Sequence, residues 1–466
     1  MLALDLGSTR IKAARVDDQG RVLQFAQEDA PPITGAGLRR EFDARLLLKG
    51  AIGALATLGP REGELEPLAI ASQRSSFLLF ELSDSHGTRA LTPVISWQDR
   101  RAADWIADHT DAETWIGELT GLPLSAHYVG PKIAALFAEN LELAQRAQAG
   151  EVRLGTLETW LTCSLGGKGR LEHAHATDET MAARTLLFDP RLGVWSPRLC
   201  EFFGVPPAML PRVLPSCGRH DEAGEMVLAA SIADQSAGAL HAVGAGLDGV
   251  LVNFGTGTFV LAPVGAEWTR RRGYLTALLL SRGTDSGARE RIYALEGTIN
   301  AGSSLITTAA ETSQVTLEEL PADAHALVDS NGIGAPHWRP DLGPIWSAGA
   351  AGQGPDARKR IAELGLCFRV REILEDLKTH DRRCVVAGGA LHDEAFAQRL
   401  ADALGRTIEV CTEPEATLLG AAGLARGDDF ARGRARTRTV MPGRFREHLD
   451  ERFEAWRRWV ASALAR

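Results

Sequence analysis

Leu4-Asp5-Leu6-Gly7-Ser8-Thr9-Arg10-Ile11-Lys12 is an apolar strand that carries one carboxylate and breaks at a glycine into two small hydroxyl residues. In such a turn the backbone N–H groups and the hydroxyls of Ser8 and Thr9 can face a phosphate. Asp5 stands where a magnesium ion needs a carboxylate, directly or through water. An ordinary β-hairpin turn uses the same residue types, so the string gains weight only from its surroundings. Ile11 to Val16, the polar Asp17-Asp18-Gln19-Gly20 turn and Arg21 to Gln27 complete three short strands joined by tight turns.

The pattern returns near residue 249. Gly249 to Phe254 leads into Gly255-Thr256-Gly257-Thr258, and Thr258 to Pro263 and Tyr274 to Ser281 read as further strands. Two glycines permit close backbone approach and two threonines offer hydroxyls. Two strand, turn, strand units that face one another can grip a nucleotide from both sides. Helical periodicity over Arg45 to Thr57, Ala102 to His109, Pro131 to Ala149, Asp356 to Leu377, Asp393 to Leu404 and Arg446 to Leu464 alternates with the strands, which is an α/β pattern. Gly388-Gly389-Ala390 follows the apolar Cys384 to Ala387, a setting in which a turn can pass beneath an adenosine. The Ala/Gly-rich segment after Glu415 suits close helix packing.

A chain of 466 residues exceeds one hydrophobic core. We read two domains, residues 1–229 and 230–430, with a linker around Pro211 to Glu225 and a C-terminal basic segment and helix at 431–466. With 45% hydrophobic and 24% charged residues the composition is that of an ordinary globular protein. The formal net charge of -9, with no dense Lys/Arg run, argues against a nucleic-acid or anionic-membrane partner. Six cysteines lack CxxC spacing and signal neither zinc nor a redox pair. The N-terminus lacks the pattern of a secretory signal and no apolar stretch is long enough to span a bilayer, so a cytoplasmic location with reduced thiols is expected.

Asp234 lies between Ala233 and Gln235, just ahead of a small-residue helix. A carboxylate there can be an N-cap. In a cleft opposite a γ-phosphate it would instead accept the proton of an attacking hydroxyl. Spacing does not choose between the two.

Further strings point one way: Ser72-Gln73-Arg74, Ser96-Trp97-Gln98-Asp99-Arg100-Arg101, Gly155-Thr156-Leu157-Glu158-Thr159-Trp160, Ala294-Leu295-Glu296-Gly297, Gly334-Ala335-Pro336-His337-Trp338 and Thr417-Leu418-Leu419-Gly420-Ala421-Ala422. With the two turns, Ala233-Asp234-Gln235 and Ala387-Gly388-Gly389-Ala390, they make the chain resemble the FGGY family of carbohydrate kinases over nearly its whole length, most closely the glycerol kinases. The resemblance implies two actin-like, ribonuclease-H-like domains with ATP and Mg2+ in the cleft, and Asp234 as catalytic base. It implies that Ser8, Thr9, Lys12, Thr256, Gly302, Gly389 and Asp393 lie along the nucleotide. It also implies that Arg74, Trp97, His127, Asp234, Gln235 and Phe259 line the pocket of a small polyol or sugar. The residue types suit that pocket, since Arg, Asp and Gln bond hydroxyls while Trp97 and Phe259 can pack on C–H faces. Relatives of this kind commonly pair as homodimers.

Five positions depart from the glycerol-kinase pattern: Ser75 stands in place of a Glu, His127 in place of a Tyr, Ile306 in place of a nucleotide-side Gln, Asp393 in place of an Asn near the adenosine, and Ala348 in place of a Gly. A site that loses one hydrogen-bonding partner loses discrimination, so a longer polyol, a ketose or a deoxy-sugar becomes an alternative to glycerol. Two other functions compete with the kinase. A sugar- or nucleotide-binding regulator could keep the fold without catalysis, and actin-like folds also serve ATPases that need no polyol. Retention of both Asp5 and Asp234 favours the kinase.

Overall fold

The computed structural model describes residues 1–59, 66–83, 87–166, 175–218, 222–223, 226–255, 257–283, 288–302, 305, 315–330, 332–430, 433, 435–443 and 445–465. The opening strand, Leu2–Leu6, pairs antiparallel with Arg10–Val16, which pairs antiparallel with Val22–Asp29. On its other side Leu2–Leu6 runs parallel to Pro67–Ser72, and that strand runs parallel to Met226–Ala233. The second sheet repeats the order. Gly249–Phe254 is antiparallel to Thr258–Gly265, which is antiparallel to Arg289–Ile299, and on the other side come Arg383–Ala387 and Ile408–Cys411, both parallel. Leu275–Gly283 and Thr437–Val440 extend its two edges. This duplicated order is the actin-like, ribonuclease-H-like fold that the family resemblance implies. Ala229, near which the sequence reading divides the chain, lies inside the last long strand of the first sheet.

Parallel neighbours require crossover connections, and helices supply them. Ala44–Thr57 starts at Asp43, whose side chain accepts from the Arg45 N–H, and buries Ala44, Leu47, Ala51 and Ala54. Pro355–Asp376 is its counterpart in the second half. The helices that follow the fifth strand of each half, Asp234–Ala242 and Ala416–Arg426, pack against one another. Their backbones meet so closely that a Cβ on Gly420 would stand 2.0 Å from the Ala237 carbonyl oxygen. Close packing is thus what the Ala/Gly-rich segment after Glu415 provides, and it joins the two halves.

Between Pro67–Ser72 and Met226–Ala233 the chain inserts a second layer, in which Phe77–Ser83 pairs with Arg153–Thr156 and Gly87–Ala90. Helices Val129–Glu139 and Leu141–Gln148 belong to this layer and correct the single helix expected over Pro131 to Ala149. Asn140 leaves helical geometry, and its side chain accepts from the Leu143 N–H and so starts a new helix. Among the described residues no helix is long and apolar enough to cross a membrane. We predict that Gly420→Ala lowers stability by about 2 kcal/mol or more by forcing the two helices apart. Denaturant unfolding checks this, and an unchanged midpoint would show that the close approach carries no stability.

Candidate active site

Leu6, Ser72 and Ala233 lie side by side across three parallel strands. The segments that follow them, Gly7-Ser8-Thr9, Gln73-Arg74-Ser75 and Asp234-Gln235, therefore leave the sheet at one edge, the carboxyl ends where open α/β sheets bind ligands. In the second sheet Asn253 pairs with Ala387, which brings the Gly255 and Gly257 turn and Gly388-Gly389 to a common edge. Gly388 has φ 116, and a Cβ there would stand 2.1 Å from the Phe254 carbonyl oxygen, so only glycine fits. Gly389 has open space at the same position. Ser8 and Thr9 are exposed.

The two halves meet at Glu296, on the strand Arg289–Ile299. Its carboxylate accepts from Arg74 Nη1 at 2.9 Å and Nη2 at 3.2 Å and from Arg184 Nη2 at 3.2 Å. Burial alone would raise this carboxyl, but Arg184 and Arg74 outweigh it and hold it at about 2. Arg74 Nη2 also donates to the Gln235 side-chain oxygen, next to Asp234. Asp234 is the first residue of its helix. It accepts from the Gln235 N–H at 2.7 Å, and no side chain caps the helix end. Burial raises its carboxyl, against the pull of Arg74, and the push of Glu296 adds to the rise.

Trp97 and His127 meet edge to face with ring centroids 5.7 Å apart. Burial, then the charges of Lys132, Arg184 and Arg74, pushes His127 well below its ordinary value, so the imidazole is neutral. The loop that carries Trp97 is tied down at Asp99, which accepts from the Arg40 N–H at 2.7 Å and from Arg101 Nε at 2.8 Å. Lys132, fully buried, donates to the Ser96 carbonyl at 2.8 Å and the Ser75 carbonyl at 3.5 Å, which links the Trp97 loop to the Arg74 turn. Phe259 lies on the same sheet face as Glu296, since its partner Thr298 is two residues along.

Lys12 faces Asp5 across the first hairpin and donates to both oxygens of Glu415, at 2.9 and 3.1 Å. Oδ1 of Asp5 is shielded from solvent and has no hydrogen-bond partner. Burial and then the Asp234 carboxylate push Asp5 up to about 8, against the pull of Lys12 and with a further push from Glu415. An orphaned, desolvated oxygen among carboxylates is a fit place for a divalent cation. Among the described residues no three His, Cys, Asp or Glu side chains are grouped to ligate a metal.

Asp234, Gln235, Arg74, Trp97 and His127 thus come together, and Asp5 and Lys12 stand beside them. Gly302 is buried, and its carbonyl accepts from the Leu305 N–H at 3.1 Å. Asp393 caps the helix Glu394–Leu404, accepting from the Ala395 N–H at 2.9 Å. Thr256 and Ile306 lie outside the described residues. Sequence reasoning gave no role to Glu296, Arg184, Lys132 or Glu415. Glu296 lies in a string that carries the resemblance and Glu415 opens the Ala/Gly-rich segment, and their charge in apolar or small-residue surroundings was the available signal. Arg184 and Lys132 gave none.

Fold and site together define an ATP-dependent kinase that transfers a phosphoryl group to an alcohol. The chain belongs to the FGGY family of carbohydrate kinases: residues 1–255 match the N-terminal domain of that family and residues 250–426 its C-terminal domain. A glycerol kinase of Xanthobacter autotrophicus is 30% identical over 100% of this chain and 99% of its own. Two solved structures share the fold. The glycerol kinase of Plasmodium falciparum, with ADP, has a TM-score of 0.81 at 18% identity, covering 99% of this chain and 97% of that one. The ligand-bound xylulose kinase of Lactobacillus acidophilus has a TM-score of 0.82 at 19% identity, covering 100% and 98%.

Folding lifts the Asp5 carboxyl from its ordinary 3.8 to about 8, so its charged form opposes folding. That cost is absent below the lower value and grows as pH rises toward the upper one. Asp5→Asn is accordingly expected to raise the thermal midpoint relative to the unmodified protein by more at pH 8 than at pH 5. An equal difference at both pH values would show that Asp5 is not a strained carboxylate.

Proposed function

We propose that this kinase uses Asp234 as the base that takes the proton of an acceptor hydroxyl, and that the acceptor is a small polyol or sugar. The observation that carries the reading is the Asp234 carboxylate itself. Burial raises it from its ordinary value, and it stands beside Arg74 and Gln235 at the edge where the Asp5 turn also emerges. Such a group is a better proton acceptor than an ordinary carboxylate.

In the proposed reaction Arg74 and Gln235 orient the acceptor and Trp97 packs on its C–H face. The acceptor oxygen forms a bond to the γ-phosphorus of ATP as its proton passes to Asp234, and the bond from that phosphorus to the β,γ-bridging oxygen breaks to release ADP. Ser8, Thr9, Gly302 and Gly389, with Thr256, are assigned to the nucleotide side, and Lys12 supplies positive charge to its phosphates. Asp393 belongs to this set through its position at the N-terminus of Glu394–Leu404. Asp5 would hold Mg2+ through water, and the ion would offset phosphate charge. The glycerol and xylulose kinases to which the chain is similar support an acceptor of this class.

The test is ADP release with Mg-ATP across polyols, ketoses and deoxy-sugars. One compound should stimulate release, and Asp234→Asn should lower kcat by about a thousandfold. The acid limb of kcat/KM should lie above the value of an unperturbed Asp, because burial raises Asp234 and its protonated form cannot accept the proton. Turnover that is unchanged in Asp234→Asn would remove the assigned base, and silence across the panel would remove the acceptor class.

A further inference from the structure

One residue ahead of Asp234 the backbone meets a buried hydroxyl from another part of the chain. The Ala233 N–H donates to Thr180 Oγ at 2.9 Å, across 53 positions. A hydroxyl has a single hydrogen, and an N–H cannot accept it, so the Thr180 hydrogen goes to Asp178, whose Oδ2 lies 2.8 Å away and Oδ1 3.1 Å. Both side chains are buried, and neither bond competes with solvent.

Asp178 is the N-cap of the short helix Glu179–Ala182 and accepts from the Thr180 and Met181 N–H groups at 2.9 and 3.1 Å. Capping accounts for those two bonds and for no others. Oδ2 of Asp178 also accepts from the Ser216 hydroxyl at 2.8 Å, and that hydroxyl in turn accepts from the Ser281 N–H at 3.3 Å. Ser281 lies on the strand Leu275–Gly283 of the second sheet. The carboxylate thus aligns two hydroxyls, one against the backbone ahead of Asp234 and one against the other half of the chain. Glu179, the next residue, binds the same place to the strand that carries Glu296, accepting from Arg291 Nε at 2.6 Å and from Arg289.

The helix that opens with Asp234 has Ala233 at its N-cap, with φ -61 and ψ 137, and no side chain caps it. Its start is therefore held from outside, and a group that fixes the Ala233 peptide fixes the direction in which the Asp234 side chain leaves the backbone. A base takes a proton only within hydrogen-bond reach, and a displacement of about 1 Å costs about a hundredfold in rate.

We propose that Thr180, aligned by Asp178, is a positioning residue for the catalytic base: its hydroxyl holds the Ala233 N–H and so sets the place of Asp234 against the acceptor hydroxyl. The inference rests on the reading of Asp234 as the base and deepens it.

The experiment measures kcat and KM for ADP release by the full chain with Mg-ATP and whichever of glycerol, erythritol, xylulose or ribulose stimulates release most. It compares the unmodified enzyme with Thr180→Val, Thr180→Ala and Thr180→Ser, of which the first two lack the hydroxyl and the third keeps it. Both hydroxyl-free variants should lower kcat by about tenfold or more, with the KM of ATP and of the acceptor changed by less than about threefold, and Thr180→Ser should restore kcat to within about threefold. Because Thr180 acts through Asp234, adding Thr180→Val to Asp234→Asn should lower kcat by less than about twofold further. A folded Thr180→Val with unchanged kcat would overturn the proposal. So would a fall in kcat of equal size with and without Asp234→Asn, or a fall that Thr180→Ser shares. Failure of both hydroxyl-free variants to fold would mark Thr180 as a residue of the core and would overturn it as well. ADP release that no acceptor stimulates in the unmodified enzyme would overturn the kinase reading on which the proposal rests.

Discussion

The Glu296 carboxylate is the point on which the cleft depends. It rises from the second sheet, 1% exposed, and accepts from two arginines that the first half of the chain supplies. Two guanidinium partners repay the desolvation that would otherwise raise its carboxyl, and the three charged groups are mutually dependent. Removal of Glu296 leaves two buried guanidinium groups without their counterpart, a loss of about 3–5 kcal/mol for such pairs. Because Arg74 also bonds Gln235, the ion pair that joins the halves sets the place of the residues around Asp234.

Electrostatics divides the cleft into two unlike regions. On one side Asp5, Asp234 and Glu415 crowd negative charge around Lys12, and the carboxyls of Asp5 and Asp234 are driven up. On the other, Glu296 is driven down by its arginines while His127 is kept neutral by burial and by the cations near it. A carboxyl pushed up and a carboxyl pushed down within one site is the pattern by which acid–base roles are assigned to residues of the same type. Asp234 is suited to take a proton, and Glu296 is suited only to hold cations.

The acceptor side is organised by buried polar links rather than by apolar packing. Lys132, pushed down to about 7 by burial, reaches the carbonyls of both Ser75 and Ser96 and so ties the Arg74 turn to the Trp97 loop. Asp99 fixes that loop from the other side. Ser75 turns its hydroxyl onto the Arg184 carbonyl, so a small residue at this place serves the frame of the pocket.

Much of this was legible in residue order, because strands, turns and helix caps are local. The Asp5 turn and its twin at Gly255, the apolar strands ahead of them and the α/β alternation each follow from neighbouring residues, and they determine the duplicated fold. Order also singled out Asp234, Arg74 and Trp97. It did not show that Asn140 would split a long periodic segment, because two short helices and one long one present the same apolar spacing. Nor did it reveal Arg184 and Lys132, whose significance lies in burial and in partners far away along the chain. Arg184 meets Glu296 across 112 positions and Lys12 meets Glu415 across 403. The charge state of Asp5 likewise depends on carboxylates brought to it from Asp234 and Glu415. Local chemistry determined which elements form, and only their tertiary arrangement decided which charges share a low-dielectric site, because those interactions act through space and not along the chain.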